Sequence, residues 1–321
     1  MSRLTLLVAF LLLPLVCSAR IPVVLDTDLG TDIDDTWALL QLLRSPELEL
    51  KLVVTDTGDT TYRARLAAKF LQAAGRTDVA VGVGLPGTMS PEHRTQEPWL
   101  RNFDLDKYPG KVHRDGVGAL IDVVMNSPEP VTVIAIGGVP GLAAALKREP
   151  RMASRARFVG MHGSFDVGYG GSREIAAEAN VLSDPEALRH VLSAPWRDTL
   201  LTPLDTCGLS HVGGEDYHRI WCATGDPAIR ALIENYVIFA PRVPWMHCDF
   251  FTTRSTTLFD SVAVYLAYAE AWVETETVRF RITDDGFTRR DPSGPLKARV
   301  ALRWKNQAAY EADLAKRILR P

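Results

Sequence analysis

Residues 21–43 read IPVVLDTDLGTDIDDTWALLQLL, and the two halves of this stretch follow different periods. Val23, Val24 and Leu25 form a short apolar run of the kind a buried strand needs, whereas Trp37, Ala38, Leu40 and Leu43 recur at helical spacing. Between them lie five carboxylates within ten residues: Asp26, Asp28, Asp32, Asp34 and Asp35. Ionised together in a dry site they would repel each other strongly. A hard cation removes that repulsion. The bland alternative is a solvated acidic turn. It fits poorly, because the cluster stands between two apolar elements. Asp34 and Asp35 fall at the start of the helix, where the helix dipole favours negative charge.

Working outward, the same strand-then-helix alternation continues. Residues 48–54 read as a strand, 62–74 as an amphipathic helix, 79–83 as a strand and 116–126 as a helix. Residues 131–136 (VTVIAI) are an almost wholly apolar strand, followed by a Gly-rich turn, a helix at 142–147 and another strand at 157–161. This pattern predicts an open, mostly parallel, doubly wound α/β sheet with helices on both faces. Active sites in such sheets lie at the carboxyl ends of the strands. Residues 88–113 read as a long surface loop. The second half is less regular. Helices are expected at 185–192, with Asp184 as N-cap, and at 215–221, 227–240, 256–269 and 307–319. Strands are expected at 278–282 and 298–304, with 200–204 as an edge strand because of Pro203. Without an internal repeat or low-complexity linker, residues 20–321 are expected to form one domain.

The chain has 321 residues, 46% of them apolar, and a net charge of −3. That balance gives no footprint for nucleic acid. Arg3, the apolar run 4–16 and the small residues Ser18 and Ala19 have the form of a signal peptide cleaved after Ala19 (residues 1–19), so the mature chain is expected to be exported, periplasmic or secreted, and not membrane-bound. The rival is an uncleaved anchor. Cleavage leaves Cys207, Cys222 and Cys248, an odd number. Export permits a Cys207–Cys222 disulfide, and ordinary thiols remain the default.

Two familiar motifs fail on the acidic stretch. An EF-hand loop starting at Asp26 would need an oxygen ligand at its fifth position and Glu at its twelfth, where this chain has Gly30 and Trp37. A haloacid-dehalogenase-type phosphatase also starts with a strand and Asp-x-Asp, but it has no use for the Asp34-Asp35 pair. The run from Asp26 to Leu39 closely resembles the N-terminal signature of the nucleoside hydrolase family, of the inosine–uridine-preferring type. The resemblance continues along the chain. Gly58-Asp59 stands where that family has Gly-Asn, and Gly137-Gly138-Val139-Pro140-Gly141 where it has Gly-Pro-Leu-Thr-Asn. Met161-His162-Gly163 is similar to its Met-Gly-Gly turn. Glu178-Ala179-Asn180 matches its ribose-binding Glu-x-Asn, with Ser172 the nearest counterpart of an upstream Asn that meets the 5′-hydroxyl. Phe259-Asp260-Ser261-Val262-Ala263 answers to His-Asp-Pro-x-Ala, with Phe259 replacing the His proposed to assist the leaving base.

The resemblance implies an enzyme, an N-glycosyl hydrolase that splits ribonucleosides into ribose and free base with a bound calcium ion. It implies Asp28 as general base, and Asp28, Asp35, Asp260 and the Pro140 carbonyl as calcium ligands. Asp34, Asp59, Glu178, Asn180 and Asp260 would bind the sugar. Asp26 is expected to brace the loop and Asp32 to face solvent. Leaving-group activation is the open role: His247 is the leading substitute, with an ordinary loop histidine as its alternative, and His162 comes second, with packing at the strand end as its own. Trp245, Phe250 and Phe251 would line a base pocket or the core. Two rivals remain, a calcium-bound ribose- or ligand-binding protein that has lost catalysis, and a hydrolase of another ribosyl compound. Family members are dimers or tetramers, so the resemblance also implies self-association.

Overall fold

The computed structural model describes residues 19–87, 94–243 and 253–320. Residues 1–18, and with them nearly all of the expected signal peptide, lie outside the described residues, as do His247, Trp245, Cys248, Phe250 and Phe251. The strands are β1 (Ile21–Thr27), β2 (Leu48–Thr55), β3 (Ala80–Val83), β4 (Val112–His113), β5 (Val131–Ala135), β6 (Ala156–Met161), β7 (Thr199–Thr202), β8 (Val273–Ile282), β9 (Thr288–Arg290) and β10 (Leu296–Trp304). The α-helices are α1 (Asp34–Leu43), α2 (Thr60–Ala73), α3 (Gly116–Asn126), α4 (Pro140–Arg148), α5 (Met152–Arg155), α6 (Ala179–Ser183), α7 (Pro185–Ser193), α8 (Gly214–Cys222), α9 (Pro227–Phe239), α10 (Phe259–Tyr268) and α11 (Gln307–Ile318).

All ten strands join one sheet in the order β4-β3-β2-β1-β5-β6-β7-β10-β8-β9. Pairing is parallel from β4 through to β10, and antiparallel only for β10–β8 and β8–β9. β1 is central and carries β2 on one side and β5 on the other. The winding therefore reverses at β1, and the carboxyl ends of β1 and β5 flank a crevice of the kind open α/β sheets use for ligands. Alternation along β1 explains the two cores: Val23 and Leu25 join the cluster containing Trp37 and Tyr265, while Val24 joins the opposite one with Leu52 and Val117.

α1 is more deeply set than its apolar spacing alone indicates. Every residue from Asp34 to Leu42 is buried, and Trp37 packs edge-on against Tyr236 at 6.3 Å. α1 lies against α10, whose residues Asp260 to Ala267 are also buried. The acidic N-terminus of α1 thus sits inside the protein, held there by the apolar residues that follow it.

Three sequence expectations need correction, and one strand, β9, was not expected. The 88–113 stretch is not simply a surface loop. Beyond residue 93 it buries Trp99, Leu100, Leu105 and Tyr108 and contributes β4. β7 is interior, between β6 and β10, because Pro203 falls just past its last residue and removes no ladder hydrogen bond. α10 starts at Phe259, three residues later than its periodicity suggests. β9 has only three residues, too few for any period to show.

Candidate active site

Six of the singled-out acids and amides line a single cavity of about 140 Å³ at the crevice: Asp28, Asp34, Asp35, Glu178, Asn180 and Asp260. The chain reaches it just past β1 through Asp28, just past β5 through Ile136, at the end of β6 through Met161, and from the first turns of α1 and α10. Asp34, Asp35 and Asp260 come closest together, each offering an oxygen within 4.8 Å of the others. The Asp260 amide donates to Asp34 Oδ2 at 3.3 Å, and Thr27 Oγ1 donates to Asp35 Oδ1 at 2.5 Å. Two helix N-termini therefore point their positive ends at the group. That is too little for three buried carboxylates. Burial, then the neighbouring acids, push Asp35 and Asp260 well above the usual carboxylate range, and burial lifts Asp34 to about 7. An all-oxygen group of this charge suits a hard cation.

Among the carboxylates the tightest group contains Asp34, expected to bind sugar, rather than Asp28. Asp28 lines the same cavity and is buried. Burial raises it to about 6, while Arg63 opposes the rise. Pro140 is the first residue of α4, follows Val139 in a left-handed conformation (φ 61), and is not among the residues lining the cavity. Asp59 is not a lining residue either. It caps α2 by accepting from the Tyr62 amide at 2.9 Å and forms an ion pair with Arg94.

Glu178 is 1% exposed and accepts from the amides of Gly163 (3.0 Å), Asn180 (2.8 Å) and Val181 (3.2 Å). Burial outweighs these bonds and lifts it to about 7. Asn180 Nδ2 donates to the Met161 carbonyl at 3.1 Å and the Ile136 carbonyl at 3.3 Å, which fixes the amide and assigns Oδ1 as its acceptor end.

Asp32, expected to face solvent, is half-buried in the cavity wall, because Gln96 Nε2 holds its carbonyl at 2.8 Å and draws the loop inward. Asp26 lies within β1, fully buried, with its carboxyl against that of Asp56, which accepts from the Val139 amide at 2.8 Å and from Thr57 Oγ1 at 2.9 Å. Burial and the neighbouring Asp56 push it well above the usual range. Ser172 is exposed, accepts from the Glu174 amide at 3.1 Å, and is not among the residues lining the cavity.

Three residues of the site were not singled out from sequence. Thr31 and Tyr169 line the cavity, and Arg63 lies just behind it. Tyr169 packs edge-on to Phe259 at 6.0 Å, and its hydroxyl accepts from the Ala179 amide at 2.9 Å. Phe259 thus forms half of an aromatic wall. Among the described residues, Cys207 (buried) and Cys222 (exposed) are free thiols, so they are not bridged.

His162 is packed rather than presented to the cavity. It is fully buried and stacks on Phe158 at 6.0 Å. Its Nε2 donates to the Gly137 carbonyl at 2.9 Å, and Nδ1 has no partner among the described residues. Burial pushes its pKa down to about 4. Below the ordinary histidine pKa the unfolded chain takes up a proton that the folded one refuses, so stability falls as pH drops from about 6.5 towards 4. We expect the wild type to lose about 2 kcal/mol more between pH 7 and pH 5 than His162→Gln does. Denaturant unfolding at the two pH values reads the difference, and equal losses would contradict it.

Comparison with known proteins matches the pattern described for inosine-uridine preferring nucleoside hydrolases to residues 23–311, which span all but the first two residues of the sheet and every cavity residue. The chain belongs to this family. It is 31% identical over 179 residues to a probable uridine nucleosidase of Arabidopsis thaliana, covering 52% of this chain and 54% of the relative. It is 32% identical over 194 residues to an inosine-uridine preferring nucleoside hydrolase of Leishmania major, covering 56% and 59%. The aligned part therefore spans little more than half the length of these relatives. The fold extends further: a purine-preferring ribonucleoside hydrolase from Gardnerella vaginalis superposes with a TM-score of 0.76 at 21% identity, covering 92% of this chain and 98% of that one.

Proposed function

We propose that this nucleoside hydrolase family member is an exported, calcium-dependent enzyme that hydrolyses the N-glycosidic bond of ribonucleosides. The observation that carries the reading is the meeting of Asp34, Asp35 and Asp260 with Asp28, Glu178 and Asn180 around one cavity. The donor set fits calcium, because oxygen ligands alone and several carboxylates suit a large hard cation. When bound, such an ion supplies a Lewis-acid centre for the ribose hydroxyls and lowers the pKa of an adjacent water.

The chain's own groups do the rest. Asp28, with its pKa about 6, is mostly ionised at neutral pH and basic enough to accept a proton from water. The water oxygen bonds to the anomeric carbon, the C1′–N bond breaks, and its electron pair leaves on the base, which takes up a proton. Asn180 Oδ1 and the carboxylates accept hydrogen bonds from sugar hydroxyls. The cavity lining holds six carboxylic side chains and, among the described residues, no Lys, Arg or His. A phosphorylated sugar would meet like charge there. The substrate class is therefore the nucleoside rather than the nucleotide. Export rests on the N-terminal apolar run ending in Ser18-Ala19.

A panel of purine and pyrimidine ribonucleosides, assayed with calcium and with chelator, tests the reading. Ribose release from at least one member is expected with calcium, and loss of that release with chelator. Phe259 favours the rival, ligand binding without turnover, since its ring offers a face to a leaving base and no proton. Calorimetric binding with no ribose released from any member, calcium being bound, would establish that rival and end the catalytic claim.

A further inference from the structure

Arg63 belongs to α2, yet it is only 2% exposed and its guanidinium lies behind the carboxylates. Its guanidinium reaches two loops at once. Nε donates to the Thr57 carbonyl at 2.6 Å, beyond the end of β2. Nη1 donates to the carbonyls of Asp28 and Leu29, the latter at 3.1 Å, and Nη2 donates to Thr31 Oγ1 at 2.8 Å. Nη2 also stands 3.9 Å from Asp28 Oδ2. Three other side chains hold the rest of the loop. Tyr62 Oη and Thr95 Oγ1 donate to the Gly30 carbonyl, Thr95 Oγ1 also to the Thr31 carbonyl, and Gln96 Nε2 to the Asp32 carbonyl. Every carbonyl from Asp28 to Asp32 is thus held by a side chain from elsewhere in the chain. At Asp28 and Leu29 that side chain is Arg63.

We infer that Arg63 is a positioning residue for Asp28. It fixes the main chain that aims the Asp28 carboxylate into the cavity and faces that carboxylate with a positive charge 3.9 Å away. The chemistry needs an arginine. A planar fork of five donors can bind two loops in fixed directions, while a lysine has one compact ammonium and can serve only one of them. Buried so completely, the guanidinium also requires most of these bonds, because an unpaired buried charge is costly.

The inference rests on the reading of Asp28 as general base, and two measurements separate the two claims. In nucleoside hydrolysis, Arg63→Lys is expected to lower kcat about 10²-fold through misplacement of the base, with KM changed less than about threefold. Combined with Asp28→Asn, it should cost nothing beyond the loss from Asp28→Asn alone, since a misplaced base and a missing base are the same defect. Losses that multiply in the double variant, or a wild-type kcat in Arg63→Lys, would overturn the assignment. Amide hydrogen exchange of the calcium-loaded protein needs no turnover. In Arg63→Lys, amides 29–33 should exchange at least about tenfold faster while the β1–β5 ladder keeps its protection. Unchanged exchange, or protection lost evenly across the sheet, would also overturn it. If the wild type releases no ribose from any nucleoside, the hydrolase reading falls and the clamp is judged on exchange alone.

Discussion

Asp28→Asn is expected to lower kcat for nucleoside hydrolysis by about 10³- to 10⁴-fold, the upper part of the range for loss of a general base. The substitution is nearly isosteric. It keeps an acceptor oxygen beside Arg63 and the main-chain carbonyl that Arg63 binds. What it removes is the capacity to take a proton, together with one negative charge from a cavity that has an excess of them. Stability should therefore hold or rise. Burial lifts Asp28 to about 6, which shows that its ionised form is disfavoured in the metal-free fold. The pattern sought is a collapse of kcat with ribose affinity by calorimetry retained and an unchanged circular dichroism spectrum. Turnover equal to wild type would remove Asp28 as the base. Parallel loss of kcat, affinity and fold would mark it as structural.

Much of this site was legible because the chain changes period where the acids occur. Residues 23–25 are continuous and apolar, Trp37 to Leu43 are helical, and the change places Asp28, Asp34 and Asp35 at a strand-to-helix turn. β2, β5 and β6 were legible for the same reason, as apolar runs closed by Gly- or Asp-bearing turns. The missed features depend on partners far along the chain. Asp32 is drawn inward by Gln96, sixty-four residues later, and no local pattern records that bond. Arg63 looks like one more charge on an amphipathic helix, and only the two loops that close over it make it an interior residue. Tyr169 sits in a Gly-rich stretch with no period. Asp59 is different, because its local signal was present. An Asp directly before a helix start is a preferred N-cap, and Asp59 caps α2 in that way. The aromatic residues of 244–252, among them Trp245 and Phe250, lie outside the described residues, and the aromatic pair that lines the cavity among the described residues is Tyr169 and Phe259.

The second large effect concerns the metal group. Asp34, Asp35 and Asp260 are each raised by burial first and by neighbouring carboxylates second, with Asp28 acting on all three, so without a cation the folded state binds protons that the unfolded state releases. A raised pKa contributes stability that is complete below the unfolded value, near pH 4, and is lost as pH rises through the folded value, about 7 for Asp34. Chelated protein should therefore be penalised at neutral pH and relieved on acidification. A cation works in the opposite direction, since it binds the ionised group and competes with the protons. At a calcium concentration a hundred times its dissociation constant, the linkage contributes about 2.7 kcal/mol. For a chain of this size that is a rise in Tm of roughly 4 °C. The calcium-induced rise should be full at pH 7 and shrink markedly at pH 5. Asp35→Asn keeps an acceptor oxygen for Thr27 Oγ1 and removes one charge from the centre of the group. The variant is expected to melt higher than wild type in chelator at pH 7, to show almost no calcium shift at either pH, and to have lost hydrolysis. Thermal melts of both proteins, with calcium and with chelator at the two pH values, read all of these effects. A calcium shift in Asp35→Asn as large as in wild type would place the cation elsewhere. A wild-type shift that did not change between pH 7 and pH 5 would mean that its ligands are not the carboxylates raised by this burial.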